Sequence, residues 1–447
     1  MLKKDQYPRV LIVLMTKVKA DAPCNLEIRT QFGDWPQEGL AQIHGSAETQ
    51  GHGEFCGHYY RLQACDRFLG GLFRHLRGGV MEMVAMDEVN ADAESRRTGP
   101  LWRWARVLKK RLGDWLIGSG LWELIFRVRL SEPMLQFVEA FKPDLIYCQG
   151  YSLGFVTLPL LIARRFSIPI CFQTTDDWPS YTYRGFPMGW ILRRHARQLV
   201  AEAKVRMALG EKMRQSYEKR YQRPFLVTYH ADRFERFAAK LPEGGSPARS
   251  ITYTGHLALR RYEAVNDLLQ AVRSLDSSGP PLEIRVYCSG IPKELPEVLR
   301  NADEVKFLPL PSHDALPAVL AEADILFLPE SFSVDPAMLD LSLSSKCHLY
   351  MMSGRPVLAY GPPYSGTIDY ARREGWAVVV AERSAALLRV ALQKLLADPQ
   401  YKSRLLRQSS AVARRNHELL SSRDAFRHAL ISICTGADDA QRERMLS

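Results

Sequence analysis

The chain has 447 residues, 46% hydrophobic and 24% charged, the composition of a soluble globular protein of two or three domains. That mixture excludes a disordered chain, a collagen-like repeat and a disulfide-stapled miniprotein. The 60 Lys and Arg against 49 Asp and Glu leave a net charge of +11, which points to an acidic partner: nucleic acid, anionic lipid or a phosphorylated ligand.

The opening apolar run, Val10 to Met15, is shorter than the roughly 7–15 residues of a signal-peptide core and is expected to be a buried strand. A long polar, irregular stretch follows. Then come DLIYCQG (144–150), a helix near 153–166, IPICFQT (168–174), a helix near 188–203 and VRMALG (205–210). The second half offers SITYTG (250–255), a helix near 261–275, LEIRVYCSG (282–290), a helix near 293–301 and VKFLPL (305–310). It continues with a helix near 313–322, DILFLP (324–329), RPVLAYGPP (355–363), WAVVVAE (376–382) and a helical tail from about 384 to 433. Short β-branched runs alternating with longer helical patterns predict an α/β protein with parallel strands, one doubly wound sheet in each half. AAKLPEGGSPARS (238–250) has linker composition. The expected division is therefore an N-terminal domain over 1–237, a linker at 238–250, a second domain over 251–425 and a terminal helix and tail over 426–447.

The cysteines at 24, 56, 65, 148, 171, 288, 347 and 434 show no C-x-x-C pair and no zinc-finger spacing, as in a reduced, cytoplasmic chain. His44, His52, Cys56 and His58 fall at irregular intervals in a Gly-rich segment, so loop residues are favoured over metal ligands. The apolar stretch 153–163 is too short for a bilayer, which takes about 20 residues, and any membrane contact is expected to be peripheral. Residues 101–130 hold four of the eight tryptophans and seven Lys or Arg. Leu101, Trp104, Leu108, Leu112 and Trp115 recur at helical spacing, with Arg103, Arg106 and Lys110 on another face. Two accounts fit that pattern: an interfacial helix on anionic lipid, or an ordinary helix packed on the first sheet with a solvated basic side.

Open α/β sheets bind ligands beyond the carboxyl ends of their strands, where Gly admits a close backbone approach and cations or helix N-termini meet phosphate. In the second half, Gly255 ends a strand and is followed by Arg260 and Arg261, which suit either a diphosphate clamp or a tight turn with two solvated arginines. Ser344, Ser345 and Lys346 open a helix carrying Tyr350, and Lys346 stands where it would meet a phosphate. Gly361, in GPPYSG, follows a further strand, as a cleft lining or a plain turn.

Taken in order, these segments resemble the nucleotide-binding domain of the GT-B glycosyltransferases, in particular the retaining "group 1" or family 4-like enzymes. The run S-S-K-C-H-L-Y-M-M-S-G-R-P-V from Ser344 to Val357 resembles their S-x-K-x-x-[DE]-Y-[ML]-A-x-G-[RK]-P-V, and 313–329 and 370–380 resemble the flanking elements. The first half is similar more loosely, with Asp176, Asp177 and Trp178 where relatives carry an acidic or His-Asp pair. The resemblance implies two Rossmann-like domains facing a cleft and transfer of a sugar from a nucleoside-diphosphate donor to a saccharide or lipid-linked acceptor, as in bacterial surface polysaccharide assembly. It implies catalytic roles for Lys346, Arg260, Arg261 and Asp177 and donor contacts at Gly255, Glu330, Ser345, Tyr350 and Gly361, with no metal cofactor. Two departures bear on the donor. The Glu-x7-Glu spacing fails, because eight residues after Glu330 stands Met338, and Leu349 occupies the usual acidic position before the tyrosine. Those losses keep two alternatives open, a nucleotide-sugar epimerase on the same fold and a non-catalytic nucleotide-sugar-binding scaffold. Nucleic acid is not an expected partner, because the basic residues are dispersed and no binding motif is present.

Overall fold

The computed structural model describes residues 7–20, 25–45, 53–68, 115–116, 118–237, 249–275 and 282–435, which form two compact units. The first comprises Met1–Thr228 together with Arg423–Ser447, the second Tyr229–Ser422.

In the first unit, seven parallel strands lie in the order β3-β2-β1-β4-β5-β6-β7. They are β1 (Val10–Leu14), β2 (Leu40–His44), β3 (His58–Arg61), β4 (Leu145–Cys148), β5 (Ile170–Thr174), β6 (Val205–Leu209) and β7 (Leu226–Thr228). β1, β4, β5 and β6 are buried along their whole length, as central strands of a sheet covered on both faces must be. The helix Leu153–Phe166 follows β4, and Ser152 caps it by accepting from the Phe155 N–H. The final helix, Leu419–Thr435, completes this unit's core: Phe426, Ala429, Leu430 and Ile433 pack with Val10, Ile12, Phe32, Trp35 and Tyr147.

The second unit has six parallel strands in the order β10-β9-β8-β11-β12-β13. These are β8 (Arg249–Thr254), β9 (Leu282–Cys288), β10 (Val305–Pro309), β11 (Ile325–Pro329), β12 (Val357–Tyr360) and β13 (Val378–Val380). Numbered within the unit, this is the 3-2-1-4-5-6 order of a doubly wound sheet. Its core gathers Ile251, Tyr253, Val286, Phe327 and Tyr360 with Val265, Leu268, Leu269 and Leu392 from the covering helices.

Two expectations change. The polar stretch after β1 contains β2 and β3, which the sequence pattern hides because Gln42 and His44 interrupt the apolar run although both are buried. The units divide after Thr228 and again before Arg423, whereas residues 238–248 lie outside the described residues. The early division follows from hydrogen bonds: the His417 Nδ1–H donates to the His230 carbonyl (2.6 Å) and the Asp232 N–H to the His417 carbonyl (3.1 Å), tying 229–232 into the second unit. Residues 101–114 and 117 also lie outside the described residues. In the rest of that stretch the helix Leu121–Ile125 starts after Gly120 at φ 77° and Val128 joins an extended bridge to Arg67.

Beneath the second sheet, His348 stacks on His417 (ring centroids 6.0 Å) and tilts against His230 (5.9 Å). Burial holds all three neutral, pushing His230 down to about 4, His417 to about 3 and His348 well below its ordinary value. The unfolded chain therefore binds protons first, and this unit is expected to lose stability as pH falls from about 6.5. His348 Nδ1 is buried with no hydrogen-bond partner among the described residues, so His348→Leu sacrifices no bond seen at that atom. Thermal melting between about pH 7 and 5 should show a shallower loss in that variant than in the wild type, and equal slopes would remove His348 from this account.

Candidate functional site

The strand order of the second sheet reverses between β8 and β11, and ligand sites of such sheets lie beyond the strand ends at that reversal. Gly255 follows β8, Glu330 follows β11 and Gly361 follows β12. Glu330 is 3% exposed. Its carboxylate accepts from Arg261 Nη2 (3.0 Å) and from Thr367 Oγ1 (3.0 Å), while its N–H donates to the Tyr360 carbonyl (2.7 Å). Gly361 makes the room: a Cβ there would stand 2.6 Å from Glu330 Cβ.

Lys346 begins the helix Lys346–Met352 and reaches back across the end of β8. Gly255 has φ +136°, a conformation L side chains rarely adopt, and a Cβ on it would overlap Lys346 Cε. The Lys346 ammonium lies 5.7 Å from the centre of the Tyr253 ring and makes no hydrogen bond or ion pair among the described residues. Burial, reinforced by the Arg261 guanidinium and opposed by Glu330, brings its pKa down to about 8. Two cations thus share one carboxylate, and the surplus positive charge belongs to the amine without a partner. Such a group is suited to an incoming anion.

The remaining expected residues separate from this cluster. Leu259 and Arg260 both have positive φ, which turns Arg260 outward to pair with Glu263 (2.5 Å) at 57% side-chain exposure. Glu263 also accepts from Ser333 Oγ (2.5 Å) and pairs with Arg383 (3.3 Å), and Arg383 reaches Asp267 (3.1 Å). Ser345 is exposed at the helix start, with no side-chain capping bond. Tyr350 is fully buried, and its hydroxyl accepts the Thr254 N–H (3.0 Å), so it locks the helix under β8 instead of lining a ligand surface. The Gly255 and Gly361 N–H groups are spent on the Tyr287 and Val380 carbonyls, so these glycines act by the space they leave.

Asp177, in the first unit, is 6% exposed and saturated. Arg220 grips both carboxylate oxygens (2.5 and 2.9 Å), and Tyr217 (2.9 Å) and Ser180 (2.6 Å) donate to it as well. That is a structural ion pair with no oxygen left for acid–base work, which corrects the expected catalytic role.

Sequence reasoning missed a second carboxyl. The first sheet reverses its order between β1 and β4, and there Glu27 accepts from Gln173 Nε2 (2.5 Å) and Gln31 Nε2 (3.4 Å). Gln173 in turn accepts from Tyr147 (2.7 Å), which accepts from Gln149 (3.1 Å). No cation enters this network among the described residues, so burial, with the Asp176 carboxylate adding to it, raises Glu27 to about 8 and leaves it neutral near pH 7. Among the described residues, no group of three or more His, Cys, Asp or Glu is arranged to hold a metal ion.

No family model and no curated protein sequence matches the chain. Solved structures do match. HepE from Anabaena, in complex with UDP and glucose, superposes with a TM-score of 0.61 at 13% identity, over 95% of this chain and 100% of that one. Sucrose-phosphate synthase from Thermosynechococcus elongatus gives 0.61 at 11% identity over 96% and 99%. A putative UDP-N-acetylglucosamine 2-epimerase from Listeria monocytogenes gives 0.55 at 10% identity over 97% and 98%. The chain shares the GT-B fold of these proteins, two Rossmann-like domains with parallel sheets.

Two outcomes follow from the geometry. Gly255→Ala should destabilise the protein by about 1–3 kcal/mol in denaturant titrations, and combining it with Lys346→Ala should cost less than the sum, because the overlap is gone. Strict additivity would disprove the contact. Glu27 binds its proton more tightly folded than unfolded, so it erodes stability as pH rises from about 4.5 to 8, by roughly 1.4 kcal/mol per unit. Glu27→Gln should therefore gain stability over the wild type across that window, with the difference closing near its acid end.

Proposed function

We propose that this protein is a glycosyltransferase that moves a sugar from a nucleoside-diphosphate donor to a saccharide or lipid-linked acceptor in the assembly of a bacterial surface glycan. The observation that carries the reading is the partnerless Lys346 amine beside Arg261 at the switch point of the second sheet. In transfer, the bond from the anomeric carbon to the diphosphate oxygen breaks, a bond to the acceptor hydroxyl oxygen forms, and that hydroxyl's proton passes to the departing diphosphate. Negative charge grows on the departing diphosphate, and fixed cations aimed at it lower the barrier without reorganising. Lys346 and Arg261 supply that charge in this reading, which calls for no metal. Support comes from the fold shared with HepE, solved with UDP and with UDP-glucose. Retention of anomeric configuration rests on the resemblance of Ser344–Val357 to the family 4-like enzymes.

A lipid-linked acceptor gives the basic, tryptophan-rich stretch 101–130 a purpose at the cytoplasmic face of a membrane. No helix among the described residues is long and apolar enough to cross one. The epimerase reading draws on the Listeria structure and predicts an altered sugar with no need for an acceptor. The scaffold reading draws on Leu349, buried where relatives carry a carboxylate.

The test is a panel of nucleotide sugars assayed for nucleoside-diphosphate release with and without acceptor extract. Acceptor-dependent release, reduced about 100-fold or more by Lys346→Ala, is the expected result. UDP affinity in the wild type should weaken as pH rises through about 8, where the Lys346 amine loses its proton, and Lys346→Met should abolish that dependence. Binding without release under any condition would establish the scaffold, and acceptor-independent conversion of the sugar the epimerase.

A further inference from the structure

The helix Met188–Glu202 has two chemically opposite faces. Met188, Leu192, Ala196, Leu199 and Val200 are buried in the first unit. Trp190 and, three, four and seven positions after it, Arg193, Arg194 and Arg197 stand on the outer side, all exposed. Just before the helix, Phe186 is 88% exposed and Trp190 is 54% exposed, so two aromatic rings sit in water at one end of an arginine stripe. Arg194 lies 5.6 Å over the Trp190 ring. From Arg184 to Ala201 the chain contains four arginines and no Asp or Glu. Arg193, Arg194 and Arg197 form no ion pair among the described residues. His195 registers the same local field: after burial, Arg194 and Arg164 push its pKa down.

The neighbouring segment extends the feature. Tyr183 donates to Glu123 Oε1 (2.7 Å), and its ring packs on Gly120, where a Cβ would come within 2.8 Å. That seats residues 118–125 against the loop bearing Phe186, and Ile125 in this segment is 40% exposed.

We propose that Phe186, Trp190 and the arginines 193, 194 and 197 form a docking surface for an anionic lipid bilayer. A dry protein interface would strip water from three arginines that have no carboxylates of their own, at high cost. A headgroup layer instead keeps them hydrated, meets them with phosphates and accepts exposed aromatic rings at the boundary with the acyl chains. Each arginine near such a surface strengthens binding about fivefold, and the attraction weakens with salt. The surface itself stands on exposure and charge. Its use, delivery of the enzyme to a lipid-linked acceptor, rests on the function proposed above.

The experiment is flotation of the full-length protein with vesicles of phosphatidylcholine alone or mixed equally with phosphatidylglycerol, at low and high salt. The wild type should float only with the anionic vesicles and lose binding at high salt. Phe186→Ala with Trp190→Ala, and separately Arg193→Glu with Arg194→Glu, should each weaken binding about tenfold or more, with melting temperature and UDP affinity unchanged. Three results would overturn the proposal: no flotation of the wild type, flotation indifferent to both pairs, or self-association that the aromatic pair abolishes without vesicles. Because UDP affinity and donor turnover are measured in the same variants without lipid, loss of the membrane surface is distinguishable from failure of the glycosyltransferase reading.

Discussion

A carboxylate taken out of water needs a cation or several donors, and Glu330 has both. Its position after β11 brings Arg261 across from the element following β8 and Thr367 from the element following β12, so one buried charge ties three strand ends together at the reversal of the sheet. The neighbouring glycines follow from that demand. Gly361 clears the space that the Glu330 side chain fills, and Gly255 clears the path for Lys346. Once Arg261 is committed to Glu330, the ammonium of Lys346 has no ion-pair partner of its own among the described residues. The site is cationic because the fold spends one arginine on a carboxylate and keeps a lysine in reserve.

The first unit builds the same topology with different chemistry at its reversal. Glu27 has amides for neighbours and no cation, so burial resolves the problem by keeping the proton on the carboxyl. Asp177 lies in the same unit and finds the other solution, a two-oxygen grip from Arg220. Two acidic residues in one domain thus find different partners, amides for Glu27 and a guanidinium for Asp177. Near neutral pH the first switch point is a polar network without charge, whereas the second carries a surplus cation.

Strands β1, β4 and β11 were legible because apolar residues run through their whole length and every position is buried. β2 was not, since Gln42 is buried as a partner for the Val18 N–H, a role invisible to hydropathy. Around the site, Gly255, Glu330 and Gly361 could be placed in the sequence from the strand ends they follow, and Lys346 from the motif Ser344–Val357. The choice between Arg260 and Arg261 was not legible, because the left-handed conformation of Leu259 and Arg260 decides which guanidinium faces inward. Tyr350 is part of the legible motif, yet its hydroxyl serves the Thr254 backbone, so a motif position carried structure where ligand contact was expected. Thr367 and Glu27 gave no local signal, since their roles depend on partners 37 and 146 residues away.

The first unit is discontinuous along the chain: residues up to Thr228 form its sheet, and Phe426, Leu430 and Ile433 close its core some two hundred positions later. The second unit is continuous, an insertion within the first. On a ribosome that order has a cost, for the host sheet emerges early yet lacks Phe426, Ala429, Leu430 and Ile433 from its core while the whole guest domain is synthesised. The guest can fold as soon as it is clear of the exit tunnel, whereas the host must wait for the last turns of the chain. Translation stalled just past residue 422 therefore leaves a complete second domain attached to an unfinished first one, and quality-control machinery would meet its exposed surface on the half made earliest.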